Sequence, residues 1–270
     1  MKITTLIENT TCDPIILSEH GLSQYIETDK HKIMFDTGAS DGFRKNAETL
    51  GIDISRTDTL ILRHGNNDHT GGVMEFARSC PDADIYIHKY ADGEHWNAER
   101  YIGIDRDMLS LPHLHILDGD TRIDEELFVF GDIKGDKLLP PGNRTIFKYV
   151  DGEKINDDFL HEQNLVVTEN GKNVLFAGCA HRGIVNILDR YREIFSSDPD
   201  YVLGGFHLMK HTSPYTDEEI RLIKETAEIL SGYNTIFYTG HCTSQRAFDI
   251  MSEIMGDKLH ALTSGGVIMF

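Results

Sequence analysis

Positive charge, cysteine and long apolar runs are all scarce in this chain, and each shortage excludes something. Only 26 of its 270 residues are Lys or Arg against 44 Asp and Glu, so the formal net charge is −18. A polyphosphate partner requires a basic footprint, and an anionic membrane surface attracts clustered Lys and Arg. Neither a nucleic acid nor a membrane is therefore expected as a partner. The acids are scattered rather than gathered in a tail, which serves solubility. Four cysteines (Cys12, Cys80, Cys179 and Cys242) are too few for a disulfide framework in a chain of this length. No apolar run approaches the roughly 20 residues of a membrane span. The opening Met1-Lys2-Ile3-Thr4-Thr5 lacks the charged-then-apolar layout of a signal peptide. Together these point to the cytoplasm.

Short apolar runs rich in Val, Ile, Phe and Tyr alternate with turn signals and helical stretches. The patterning predicts strands at 2–8, 22–28, 31–36, 58–63, 84–88, 114–117, 126–130, 163–168, 173–177, 200–204 and 234–239. A further run at 259–269 reads as two short strands. Helices are expected at 40–50, 70–79, 183–195, 216–231 and 243–255. Thr216 followed by Glu219 is a capping box for the fourth, and Gly232 marks its stop. The first three strands arrive without intervening helices, which suggests an antiparallel meander; later strands alternate with helices, giving a layered α/β architecture. Residues 131–162 break the rhythm with Pro140-Pro141-Gly142, Asn and many charges, and read as a lid or a mobile excursion. No linker, fixed-period repeat or low-complexity tract divides the chain, so a single domain over 1–270 is expected.

The placement of the 14 histidines is more informative than their number. Four strand-like runs end in glycine and histidine within a few residues, at His64-Gly65, Gly178-Cys-Ala-His181, Gly204-Gly-Phe-His207 and Gly240-His241. In layered α/β proteins, ligands gather beyond the carboxyl ends of strands. A single such histidine is an ordinary loop residue; four at equivalent positions point to a shared metal or catalytic site. The densest stretch is His64-Gly65-Asn66-Asn67-Asp68-His69-Thr70-Gly71-Gly72, lying between a strand and a helix. Its imidazoles and carboxylate suit zinc, iron or manganese.

These residues resemble the metallo-β-lactamase superfamily, whose strand-His-x-His-x-Asp-His-Thr-Gly-Gly signature reads here His64-x-Asn66-x-Asp68-His69. Phe35-Asp36-Thr37-Gly38 and Glu19-His20-Gly21-Leu22-Ser23 match the opening of that family. His161-Glu162-Gln163, Gly178-Cys-Ala-His181-Arg-Gly-Ile-Val-Asn186, Gly204-Gly-Phe-His207-Leu and Gly240-His241-Cys-Thr are similar to one branch of it. That branch holds the dihydropterin ribofuranosyl-aminobenzene phosphate synthases and proteins described only as metal-dependent hydrolases. The resemblance implies an αββα sandwich with metals in a cleft at one edge. It assigns His64, Asn66 and His181 to one metal, and Asp68, His69 and His241 to a second. Asp36 would support the site through hydrogen bonds, and Asp68 would also orient the attacking water. Two departures stand out: Asn66 replaces a histidine, and no counterpart of the bridging aspartate occurs at Gly204-Gly205. One tightly held divalent metal, most readily zinc, and a weak second one are expected.

Other residues have a plainer explanation available. Cys179 and Cys242 adjoin proposed ligands, but small buried residues at strand ends account for them, and strand alternation sets Cys242 opposite His241. His207, Lys210 and His211 form a cationic cluster, and Arg182 follows His181; these are candidates for a substrate phosphate or carboxylate. His88, His95, His113 and His115 are assigned to structure. The implied activity is hydrolysis of a small phosphate- or ester-bearing metabolite by a metal-bound hydroxide. The alternatives are a transferase joining a dihydropterin to an aminobenzene ribosyl phosphate, or a non-catalytic metal-stabilised binding module.

Overall fold

A computed structural model describes residues 1–11, 13–209 and 214–270. Cys12, Lys210 and His211 therefore lie outside the described residues. Two compact units emerge, one made of Met1–Thr121, Phe147–Ile155 and Leu262–Phe270, the other of Arg122–Ile146 and Asn156–Ala261.

The first unit is organised on a seven-stranded sheet. Its order is Val267–Met269, Lys2–Ile7, Ser23–Glu27, Lys32–Phe35, Thr59–Ile61, Asp84–His88 and Leu114–Leu117. The first three strands of the chain pair antiparallel, as the absence of helices between them requires. From Lys32–Phe35 onward the strands are parallel, helices carrying the chain back in the first two connections and a longer segment with a 3₁₀ turn at Arg106–Ser110 in the third. Phe43 and Ala47 of helix Gly42–Thr49, and Val73 and Phe76 of helix Val73–Ser79, bury against Leu6, Tyr25, Met34, Leu60 and Ile85. Each such large apolar chain contributes roughly 1.5–3 kcal/mol when fully buried.

The second unit repeats the logic. Its sheet runs Leu259–Ala261, Ile236–Thr239, Tyr201–Gly204, Lys172–Gly178, Asn164–Glu169, Leu127–Phe130 and Thr121–Arg122. The first four of these are parallel neighbours. Helices Ile184–Phe195, Asp217–Ser231 and Gln245–Met255 cover it. Ile223, Ala227 and Leu230 recur at three- and four-residue spacing and turn one helical face into the core. The Thr216–Glu219 capping box is formed, Thr216 accepting from the Glu219 N–H while the Glu219 carboxylate accepts from the Thr216 N–H.

The stretch 131–162 is more regular than its composition suggests. It contains a 3₁₀ turn at Pro141–Thr145 and two strands, Ile146–Val150 and Glu153–Asn156. These join Glu94–Asn97 and Arg100–Tyr101 in a four-stranded sheet. All of Glu153–Asn156 is exposed, so no apolar alternation betrays the strand. Among the described residues no helix is long and apolar enough to cross a membrane.

Candidate metal centre

The strand ends share an unusual backbone. Asp36, Ala180, His207 and His241 follow the strands Lys32–Phe35, Lys172–Gly178, Tyr201–Gly204 and Ile236–Thr239, with φ of 59°, 55°, 49° and 48°. Non-glycine residues seldom adopt this left-handed conformation.

In the first unit, the strand Thr59–Ile61 delivers Arg63 and His64 to a turn, and Asn66 starts the short helix Asn67–Thr70. The turn is braced on the Asp36-Thr37-Gly38 bend. Thr37 donates its hydroxyl to the His69 carbonyl at 3.0 Å and accepts the Gly72 N–H at 3.1 Å. Contact is so close that a Cβ on Gly71 would stand 2.3 Å from the Ala39 carbonyl oxygen, which is why the motif needs glycine there.

His64 and His69 are fully buried, edge to face with centroids 4.5 Å apart. The Asn66 N–H donates to His64 Nδ1 at 3.2 Å. Asp68 is only partly buried; its Oδ2 lies 3.0 Å from His69 Nε2 and 3.6 Å from His20 Nε2. Asp36 is fully buried. Its Oδ1 accepts the Arg63 N–H at 3.0 Å, and its Oδ2 lies 2.7 Å from Arg63 Nε and 3.3 Å from His69 Nδ1. Asp36 thus holds the groups around His69.

Arg63 was not singled out from the sequence. It is fully buried, and its Nη2 stands 2.7 Å from His69 Nε2. A guanidinium is always charged, so a cation already flanks this imidazole. The available signal was a single charge inside the apolar run Leu60-Ile-Leu-Arg63, one residue before a candidate ligand.

In the second unit, His181 sits in a turn gripped by Glu162. One carboxylate oxygen accepts the His181 N–H at 2.7 Å, and the other accepts the Arg182 N–H at 2.9 Å. Phe159 stacks on the imidazole with centroids 4.1 Å apart and planes 4° from parallel. Asn143 donates to the His181 carbonyl at 2.7 Å, while its Oδ1 lies 3.1 Å from Nδ1. With Nδ1–H donating to that oxygen, Nε2 carries the lone pair, the tautomer a metal ligand requires. Residues 131–162 thus supply the Asn143, Phe159 and Glu162 that orient His181.

Burial pushes the His181 pKa down from 6.5 to about 3, and the neighbouring His207 adds to the effect. The unfolded chain therefore takes up a proton that the folded chain refuses. Metal-free protein should lose stability as pH falls below 6.5, by at most about 1.4 kcal/mol per pH unit from this group, until pH nears 3. Denaturant midpoints measured between pH 6.5 and 5 should show that slope flattened in His181→Gln; an unchanged slope would exclude His181 as its source.

The remaining expected residues divide. The His207 ring lies 4.1 Å from that of His181. His241 opens a 3₁₀ turn at His241–Thr243 and is buried. Arg182, expected to meet substrate, instead donates to the carbonyls of Ile133 at 3.2 Å, Asp158 at 3.2 Å and Gly135 at 3.4 Å.

A model of the metallo-β-lactamase superfamily matches residues 20–230. The chain is 27% identical over 291 residues to the 7,8-dihydropterin-6-methyl-4-(β-D-ribofuranosyl)-aminobenzene-5′-phosphate synthase of Methanocaldococcus jannaschii, covering 100% of this chain and 97% of that protein. It is similar to the crystal structure of a metal-dependent hydrolase of the β-lactamase superfamily, with a TM-score of 0.83, 32% identity, and coverage of 100% and 99% of the two chains. Zn²⁺-bound PqqB of Methylobacterium extorquens shares the fold at a TM-score of 0.62 and 10% identity, each chain covered in full. The fold class is accordingly the α/β one of these proteins, and the chain belongs to the metallo-β-lactamase superfamily.

Proposed function

We propose that the chain is a metal-dependent hydrolase of a small phosphate- or ester-bearing metabolite, with His64, Asn66 and His181 as donors to one cation and Asp68, His69 and His241 as donors to a second. The observation that carries this reading is Asn66. Asn at an N-cap ordinarily accepts a helix N–H, a bond worth about 1 kcal/mol. Here the side chain makes no capping bond, and its buried Oδ1 has no hydrogen-bond partner among the described residues. A buried carbonyl oxygen left in this way is costly unless something else takes its lone pair. A divalent cation would do so, and the donor set suits zinc, with iron or manganese also compatible.

When bound, such a cation acidifies water and polarises the bond under attack. The chain's own groups do the rest. Asp68, the more accessible carboxylate, orients the water and takes its proton at Oδ. Asp36 keeps His69 in place, and an Nδ1–H donated to Asn143 keeps the lone pair of His181 on Nε2. The Asn66 amide is a weaker donor than imidazole, and the Arg63 charge opposes a cation at His69. About one tightly held cation per chain is therefore expected, with a second bound weakly.

Elemental analysis joined to an assay on phosphodiesters, lactones and thioesters tests this. His241→Ala should lower metal content sharply, and Asn66→Ala should remove the weakly bound cation, while the far-ultraviolet circular dichroism stays unchanged in both. Full hydrolysis by chelator-stripped protein, or wild-type metal content in both variants, would overturn it. The name of the M. jannaschii relative supports a second reading, carbon–nitrogen bond formation between a dihydropterin and an aminobenzene ribosyl phosphate. Co-purification of a pterin would favour it. The net charge of −18 supports a small-molecule substrate and no nucleic acid or membrane partner.

A further inference from the structure

The strand end Gly204-Gly205 has no side chain to offer, and the structure shows what occupies that space. A Cβ built on Gly205 would lie 2.3 Å from the sulfur of Cys242. Gly204 could carry no side chain either, because its Cβ would stand 2.7 Å from the Gly178 carbonyl oxygen. The volume beside Gly205 is therefore filled by a thiol from the neighbouring turn. That sulfur is held in place: it accepts the His207 N–H at 3.3 Å and lies 3.5 Å from the Cys179 carbonyl oxygen. Cys179 and Cys242 are both buried, and their sulfurs and a His207 ring nitrogen all lie within 4.8 Å of one another. His207 Nδ1 is buried with no hydrogen-bond partner among the described residues.

We propose that Cys179, Cys242 and His207 form a soft-cation site that takes zinc or a similarly thiophilic ion through two thiolates and one imidazole. With bonds of about 2.0–2.3 Å, ligand atoms around tetrahedral zinc stand roughly 3.3–3.8 Å apart, so small side-chain movements close this group onto an ion. Thiolates select soft and borderline metals over magnesium, calcium or manganese. Three protein ligands leave the fourth position open to an exogenous one. Binding releases the two thiol protons to solvent as the two sulfur–metal bonds form, so loading is pH-dependent. None of the three ligands belongs to the imidazole, amide and carboxylate set proposed above, but the Cys179 sulfur also lies within 4.8 Å of a ring nitrogen of His181 and of one of His241, so the ion would border those donors.

The test is titration of metal-stripped, reduced protein with cobalt(II) and cadmium(II), read as thiolate-to-metal charge-transfer absorption in the ultraviolet. Wild type should develop the band to saturation with one thiolate-bound ion per chain, over and above the cation held by the nitrogen and oxygen donors. Cys179→Ser with Cys242→Ser should abolish it, and Gly205→Ala, which pushes the Cys242 sulfur aside, should weaken binding at least tenfold. His64→Ala should retain the band, which separates this site from failure of the reading above. Zinc should also protect two of the wild-type thiols from alkylation, a measurement that needs no variant to fold. Absence of the band in wild type at saturating metal, persistence of it in the double variant, or no thiol protection by zinc would overturn the assignment.

Discussion

Arg63→Met should cost about 3–5 kcal/mol of folding stability in metal-free protein, among the largest effects of any single substitution here. Arg63 Nε and Asp36 Oδ2 are 2.7 Å apart with both side chains fully buried. Removing the guanidinium while the methionine stem keeps the volume leaves a carboxylate out of water with no cation beside it. The pair itself is worth far less than that loss, because burying both charges has its own desolvation cost. Adding Asp36→Asn to Arg63→Met should therefore recover part of the loss. The amide is neutral, asparagine tolerates the left-handed backbone, and its oxygen can still accept the N–H of residue 63. Urea or guanidinium midpoints for the two single variants and the double variant form the cycle. A single variant within 1 kcal/mol of wild type, or a double variant worse than the sum of the singles, would refute the account. The same substitution removes a charge from beside His69, so metal content should rise in whatever fraction remains folded.

Glu162→Ala should be nearly as damaging, and through a different route. Its carboxylate accepts two successive backbone N–H groups at 2.7 and 2.9 Å. Each N–H left without an acceptor costs about 1–3 kcal/mol, so a loss of roughly 2–6 kcal/mol is expected for the two. The turn carrying His181 would also lose its clamp, and groups that orient ligands typically change metal affinity 10–100-fold. Glu162→Gln keeps one acceptor oxygen and should fall between wild type and alanine in both measurements. Calorimetric metal titration with a parallel denaturation curve checks this. Wild-type affinity in the alanine variant would reduce Glu162 to an ordinary buried acid.

The outline of both sheets was legible because their strands are buried and apolar. Asp84–His88, with three of its five residues buried, matches the patterning residue for residue. The strands that escaped it, Glu94–Asn97, Arg100–Tyr101, Thr121–Arg122, Ile146–Val150 and Glu153–Asn156, are short and mostly accessible, and partner hydrogen bonds rather than apolar alternation define them. Histidines at strand ends were visible as a repeated position. Arg63, Asn143, Phe159 and Glu162 were not assigned roles, because the contacts of each depend on a turn distant in sequence from it. The cysteines show a local argument failing for a local reason. Strand alternation was expected to turn Cys242 away, but His241–Thr243 is a 3₁₀ turn, where alternation does not apply.

The first unit draws on three separate pieces of chain, and the last begins only at Leu262. Val267–Met269 pairs with Lys2–Thr4, and the Ser264 hydroxyl bonds to the backbone of Glu8 across 256 residues. A ribosome adding about 5–20 residues per second finishes every residue of the second unit before it supplies this closing strand. For that interval Lys2–Ile7 carries an unpaired edge, able to pair with a neighbouring nascent chain. The second unit, contiguous but for residues 147–155, can mature behind it. Until residues 262–270 are made, the first unit lacks the strand that covers this edge, whatever the stability of the folded chain.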